Sequence, residues 1–221
     1  MTIKAFIFDL DGTMIDAFPA YEKAFKHTIE STGRTYKKGS LAIYYGQMDI
    51  EILRQLLKKD KIDKETEHLI EQKRNYYLKT AQTAIKTLPC ATELIRLLKE
   101  RSIKTAIATS AQRSATEIAI DKLKIRPLLN ATITATEVTN GKPDPELFLK
   151  ASEMINIHPK DCIVIEDSIH GIQAAKRANM KTLAVSTGKT SMRDLKNLKP
   201  NYAMDSLCAI IPELDKIINH L

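Results

Sequence analysis

The sequence predicts an α/β fold: an open parallel sheet with helices on both faces and a helical segment inserted after the first strand. Three observations lead there. Short apolar runs alternate with amphipathic stretches along most of the chain, the pattern of strands joined by helical crossovers. The alternation breaks over residues 14–86, where helical periods occur without a clear strand. Two of the apolar runs end in paired acidic residues. With 221 residues, 43% hydrophobic and 28% charged, the chain can bury a core, which excludes a disordered protein. No apolar run approaches the ~20 residues of a membrane helix.

Ile3–Phe8, closed by Asp9, reads as a buried parallel strand. Pro19–Thr32 follows, with Ala20, Ala24, Phe25 and Ile29 on one helical face; Ile50–Leu57 and Leu69–Leu78 show the same logic. Gly33 and Gly39 mark stops or turns. The chain is expected to leave and rejoin the sheet near Met14–Phe18 and Ala84–Leu88. Four further strands are predicted at Ile103–Ala108, Ala131–Thr134, Cys162–Ile165 and Thr182–Val185. The helices between and beside them are Thr92–Glu100, Ser114–Leu123, Pro145–Ile155 and Ser168–Asn179. An insert after the first strand would lie over the carboxyl ends of the strands, where open α/β sheets bind ligands.

Net charge is +7, from 34 basic and 27 acidic residues. The excess is spread along the chain with no dense basic tail. Together with the absence of Trp and only 5% aromatic residues, this argues against a nucleic-acid surface. The N-terminus reaches Asp9 after four apolar residues, too soon for a secretory signal. The expectation is a cytoplasmic protein with no membrane partner, monomeric by default. Cys90, Cys162 and Cys208 are odd in number and widely spaced, and are expected to be reduced, packed thiols.

The chemistry gathers at the strand ends. Asp9-Leu10-Asp11-Gly12-Thr13 places two carboxylates on one side of a strand tip. They would repel unless a hard cation such as Mg²⁺ joined them; the plain alternative is a solvated acidic turn. Glu166-Asp167-Ser168 ends a second strand of the same sheet, so both acidic pairs converge, and a metal site is expected. Ser168 would also cap the helix that follows. Thr109-Ser110 offers hydroxyl and N–H donors to an anion. Lys142, in the rigid turn Asn140-Gly141-Lys142-Pro143-Asp144-Pro145, brings a cation to an otherwise acidic rim. His170 reads as a helix-surface residue.

These four spaced motifs resemble those of the haloacid dehalogenase-like hydrolase superfamily. The segment 14–86 is similar to the small helical cap of that superfamily's branch containing phosphoglycolate phosphatases, sugar phosphatases and β-phosphoglucomutase. The resemblance implies a Rossmann-like catalytic core (1–13 and 87–221), an α-helical cap domain (14–86), and a Mg²⁺-dependent phosphatase. Asp9 would be the nucleophile and Asp11 the general acid and base. Mg²⁺ would be held by Asp9, the Asp11 carbonyl and Asp167, with Glu166 nearby. Lys142, Thr109 and Ser110 would bind the transferring phosphate.

Departures from the family patterns are informative. Dehalogenases of the superfamily carry Tyr at the position of Asp11 and phosphonatases carry Ala, so phosphate-ester chemistry is favoured. Where β-phosphoglucomutase has a His in the first cap helix, this chain has Tyr21; where that enzyme has Ser-Arg after a cap glycine, this chain reads Gly46-Gln47-Met48-Asp49. An Arg there would bind a second phosphate, whereas Asp49 repels one. Hydrolysis of a small phosphorylated metabolite is therefore expected over sugar-phosphate isomerisation. A binding protein without turnover is the remaining alternative. Lys73-Arg74-Asn75-Tyr76-Tyr77, by contrast, is similar to the cap of β-phosphoglucomutase. Substrate choice should lie near Phe18, Tyr21, Tyr45–Asp49 and Arg74.

Overall fold

In a computed structural model of the chain, which describes residues 2–44 and 46–219, six parallel strands form the central sheet. The chain begins with β1 (Ala5–Phe8), crosses through the two-residue β2 (Ile15–Asp16), and enters helices α1 (Phe18–Glu30), α2 (Asp49–Leu56) and α3 (Lys64–Ala84). It returns through β3 (Lys86–Thr87), which pairs antiparallel with β2. The core continues as α4 (Ala91–Glu100), β4 (Lys104–Ala108), α5 (Arg113–Leu123), β5 (Ala131–Ile133), α6 (Glu146–Met154) and β6 (Cys162–Glu166). It closes with α7 (Ile169–Arg177), β7 (Lys181–Val185), α8 (Met192–Asn197), β8 (Tyr202–Met204) and α9 (Leu214–Asn219).

The order across the sheet is β5-β4-β1-β6-β7-β8, a doubly wound, Rossmann-like arrangement. The chain runs from β1 through β4 to β5 at one edge and then crosses to β6 on the other side of β1, so a crevice opens at the carboxyl ends of β1, β4 and β6. Strand period two divides the core. Phe6, Phe8, Ile107, Ile163 and Ile165 face α4, α5 and α9 through Leu94, Leu98, Ile120 and Ile217. On the other face Ala5, Ile7, Ala106, Ala108 and Val164 lie against Phe148, Ala151 and Ala174. The small residues of that face leave room for the Phe148 ring. The inserted cap has its own apolar cluster, including Phe25, Ile29, Ile52, Leu53 and Leu69, while Tyr77 and Ala81 of α3 join it to the core.

Several expectations are corrected. Segment 14–86 contains strand β2, because the outgoing and returning chains run side by side and satisfy each other's backbone groups. Helix α3 extends well beyond 69–78: the Asp63 side chain accepts from the Thr66 amide and starts the helix in a polar stretch. Strand β8 and helices α8 and α9 also lacked a clear periodic signal. Cys90 and Cys208 are not free thiols; they form a disulfide across 118 residues of sequence. Packing of α4 against the turn at Leu207–Ala209 brings them together, which spacing could not reveal. Cys162 is free and buried, and burial pushes its thiol up to about 12. Among the described residues, no helix is long and apolar enough to cross a membrane.

Candidate active site

Asp9 is the first residue beyond β1, yet its amide still donates to the Ile165 carbonyl at 3.0 Å. The sheet ladder thus fixes the start of the acidic turn. Leu10 accepts from the Met14 and Ile15 amides, and Gly12, at φ +87°, takes the left-handed conformation that folds Asp11 back toward the sheet edge. The same device operates at β4, where the Thr109 amide donates to the Ile133 carbonyl at 3.0 Å. Its hydroxyl oxygen accepts from the Ala111 amide, leaving the hydroxyl proton of Thr109 for another acceptor.

Lys142, with its side chain wholly buried, reaches between two strand ends. Its ammonium donates to Asp9 Oδ1 at 2.5 Å and to Glu166 Oε1 at 2.6 Å. Glu166 is held equally firmly on its other oxygen. Oε2 accepts from the Asp167 amide, the Ser168 amide and the Ser168 hydroxyl, each at 2.9 Å. Ser168 caps α7 as expected, accepting from the Gly171 amide at 3.0 Å. A Cβ on Gly171 would lie 1.8 Å from Glu166 Oε1, so only glycine leaves space for that carboxylate.

Asp167 differs from Glu166. Oδ1 accepts from the Thr13 hydroxyl at 3.2 Å, whereas Oδ2 is buried without a partner. A buried carboxylate oxygen left in this way is costly unless another group satisfies it. Carboxylate oxygens of Asp9, Glu166 and Asp167 lie within 4.8 Å of one another, and one lysine cannot balance three negative charges. Burial, then the neighbouring Glu166 and Asp9, push the Asp167 carboxyl well up. Burial raises Asp9 too, with Glu166 and Asp11 adding and Lys142 opposing. Burial alone would depress the Lys142 ammonium, but Asp9 and Glu166 hold it above its ordinary value. Surplus negative charge, hard oxygen donors and an orphaned Oδ2 fit a divalent cation of the Mg²⁺ class. The oxygens of Glu166 are already engaged, so Asp9 and Asp167 are the better placed side chains to hold it.

Above the cluster is a cavity lined on the core side by Asp9, Asp11, Thr109, Ser110 and Asp167. Lys142 and Glu166 lie behind this wall. Burial pushes Asp11 up to about 6, with Asp49 adding to the shift and Lys73 and Lys142 opposing it, in range for proton transfer near neutral pH. The cap side brings Tyr21, Gly46, Gln47, Asp49 and Arg74 to the same cavity, together with Phe18; Tyr45 lies outside the described residues. The cap is seated directly on the core. The Ser110 hydroxyl donates to the Gly46 carbonyl at 2.8 Å, and Gln47 Nε2 lies 3.0 Å from His170 Nε2. His170, half-buried on α7, therefore meets the cap loop. Lys73 and Tyr77 line the cavity as well; they belong to the run that resembles the β-phosphoglucomutase cap but were not expected to be site residues. Their signal was a lysine within the buried stripe Leu69, Lys73, Tyr77, Ala81 of α3.

A family model of haloacid dehalogenase-like hydrolases matches residues 6–185. The chain belongs to this family. As a haloacid dehalogenase-like hydrolase it is 32% identical to a phosphorylated carbohydrates phosphatase of Thermotoga maritima, over 82% of this chain and 84% of that one. It is 24% identical to the pyrophosphatase PpaX of Oceanobacillus iheyensis, over 96% of each chain. The solved structure of a β-phosphoglucomutase from Clostridium difficile superimposes with a TM-score of 0.86 at 26% identity, covering 98% of this chain and 97% of that one. The fold, the inserted cap and the enzyme class expected of this hydrolase are those of its relatives.

Proposed function

We propose that this hydrolase is a Mg²⁺-dependent phosphatase of small phosphorylated metabolites, with residues 1–13 and 87–221 as catalytic core and 14–86 as cap. The observation that carries the reading is the Lys142 ammonium between Asp9 and Glu166, beside the unpartnered Asp167 oxygen and beneath a cavity shared with Asp11. An Asp9 carboxylate oxygen attacks phosphorus, and the bond from phosphorus to the leaving alcohol breaks as Asp11 gives that alcohol its proton. Asp11 then takes a proton from water, which attacks the aspartyl-phosphate and frees Asp9 and inorganic phosphate. Bound Mg²⁺, held by Asp9, Asp167 and the Asp11 carbonyl, would supply positive charge to the phosphoryl oxygens. Lys142 holds Asp9 in place and adds to that charge; Thr109 donates its hydroxyl proton to the phosphate. Ser110, tied here to Gly46, would couple phosphate binding to cap position.

The test is phosphate release from a panel of sugar phosphates, phosphoglycolate, pyrophosphate and nucleotides, with Mg²⁺ and with chelator, beside Asp9→Asn. Chelator-sensitive release that disappears in Asp9→Asn is expected. Undiminished release in that variant overturns the mechanism. The likeness to a β-phosphoglucomutase makes isomerisation the second reading, and appearance of an isomerised sugar phosphate in place of free phosphate would establish it.

A further inference from the structure

The wall of the cavity facing the acidic cluster is built around a buried ion pair. Asp49 is the first residue of α2, and Lys73 sits midway along α3. The Lys73 ammonium donates to Asp49 Oδ2 at 2.6 Å, and the two side chains are only 4% and 12% exposed. The Tyr21 hydroxyl donates to the other oxygen, Oδ1, at 2.5 Å. The ammonium also lies 4.1, 4.8 and 5.2 Å from the ring centroids of Tyr21, Phe25 and Tyr77. Its charge is thus spent on one carboxylate and three ring faces. Arg74, at the rim, is 45% exposed and 3.9 Å from Glu71, so its charge is shared with solvent and a surface partner.

A second phosphate or a carboxylate on the leaving group carries only acceptors. In this wall it would meet an acceptor carboxylate and a lysine already committed to it. A hydroxyl group brings a donor that Asp49 can accept in addition to its present partners, since a carboxylate has about four lone-pair sites. Gln47 and Gln112 add neutral amides to the same cavity. We propose that Asp49, by holding Lys73, sets the substrate class: the site takes monophosphates of neutral, hydroxyl-bearing small molecules and rejects leaving groups that carry a second anion. The inference rests on the phosphatase reading of this site and narrows it; it works by repulsion as much as by attraction.

The experiment compares kcat/KM for matched pairs in the presence of Mg²⁺: fructose 6-phosphate with fructose 1,6-bisphosphate, and glycerol phosphate with phosphoglycolate, with pyrophosphate alongside. Wild type should favour the neutral member of each pair by about tenfold or more, the scale of one hydrogen bond to a charged group. In Asp49→Asn, Lys73 loses its counter-charge, and the ratio should move about tenfold toward the anionic member. Adding Lys73→Met to that variant should return the ratio toward wild type. A wild-type enzyme equally active on both members overturns the proposal, as does a folded Asp49→Asn with an unchanged ratio. If Asp49→Asn does not fold, the wild-type ratios decide. Absence of phosphate release from every compound sinks the phosphatase reading itself, an outcome distinct from release without discrimination.

Discussion

Replacing Lys142 with Met tests the centre of the site, because it removes a charge while keeping a side chain of similar length. The ammonium lies 2.5 Å from Asp9 and 2.6 Å from Glu166. At an effective dielectric of ~20, each contact corresponds to ~6–7 kcal/mol of gross attraction. Repulsion between the two carboxylates and the desolvation of three buried groups offset most of that sum. What the variant exposes is the difference: Glu166, fully buried, loses the one cation that touches it among the described residues. Its three donors on Oε2 remain, so it stays ordered but uncompensated. Breaking a buried pair in this way costs about 3–5 kcal/mol, or roughly 10 °C of melting temperature in a chain of this size. Loss of a preorganised cation beside the transferring phosphate should lower kcat by about 10²–10³. Thermal unfolding in chelator gives the first number and steady-state phosphate release with Mg²⁺ the second. A folded Lys142→Met within tenfold of wild-type kcat would refute the role assigned to this lysine.

Four further outcomes follow from the geometry. Mg²⁺ at about 100 times its dissociation constant should stabilise the wild type by ~2.7 kcal/mol, and Asp167→Asn should abolish that thermal shift without abolishing folding. Gly188→Ala should weaken the same shift, since its Cβ would lie 1.6 Å from Asp167 Oδ2; an unchanged Mg²⁺ titration would contradict the close approach. Thiol titration of the denatured, unreduced protein should find one reactive group and, after reduction, three, given the Cys90–Cys208 disulfide and free Cys162. Burial would raise Glu137, but Arg113 and the hydroxyls of Thr134 and Thr136 hold it down to about 2. Its contribution is therefore present above its unfolded value of 4.5 and lost as pH falls toward 2. After screening at this part-exposed site it is worth about 1 kcal/mol, so the gap in melting temperature between wild type and Glu137→Gln, about 3 °C at pH 7, should narrow below pH 4.5 and close only as pH falls to about 2.

The acidic edge of the sheet was legible in sequence because each of its elements is local. Acidic residues close two of the apolar runs, so Asp9 and Glu166-Asp167 announced their own positions, and the parallel order put both at one end of the sheet. Strand β8, with weak periodicity, gave no comparable signal, and the polar first turn of α3 hid where that helix begins. The wall opposite Asp11 was legible only in pieces. Tyr21, Asp49 and Arg74 could be singled out by comparison with a family pattern, but Asp49 then appeared as a bare negative charge. Its meaning changes once Lys73 is found 2.6 Å away. The two residues lie on different helices, 24 positions apart, and nothing in either local sequence records the pairing. Lys73 itself sits where an apolar stripe would put a core residue, and a buried lysine requires a partner. That requirement could have been read from the stripe alone: the lysine called for a carboxylate within reach, and Asp49, placed over the cleft by the glycine turn before α2, was the acidic residue already suspected there. A buried charge on an apolar face is thus a long-range prediction about whatever faces it, and in this cap it leads from a packing anomaly to a carboxylate on the cavity wall.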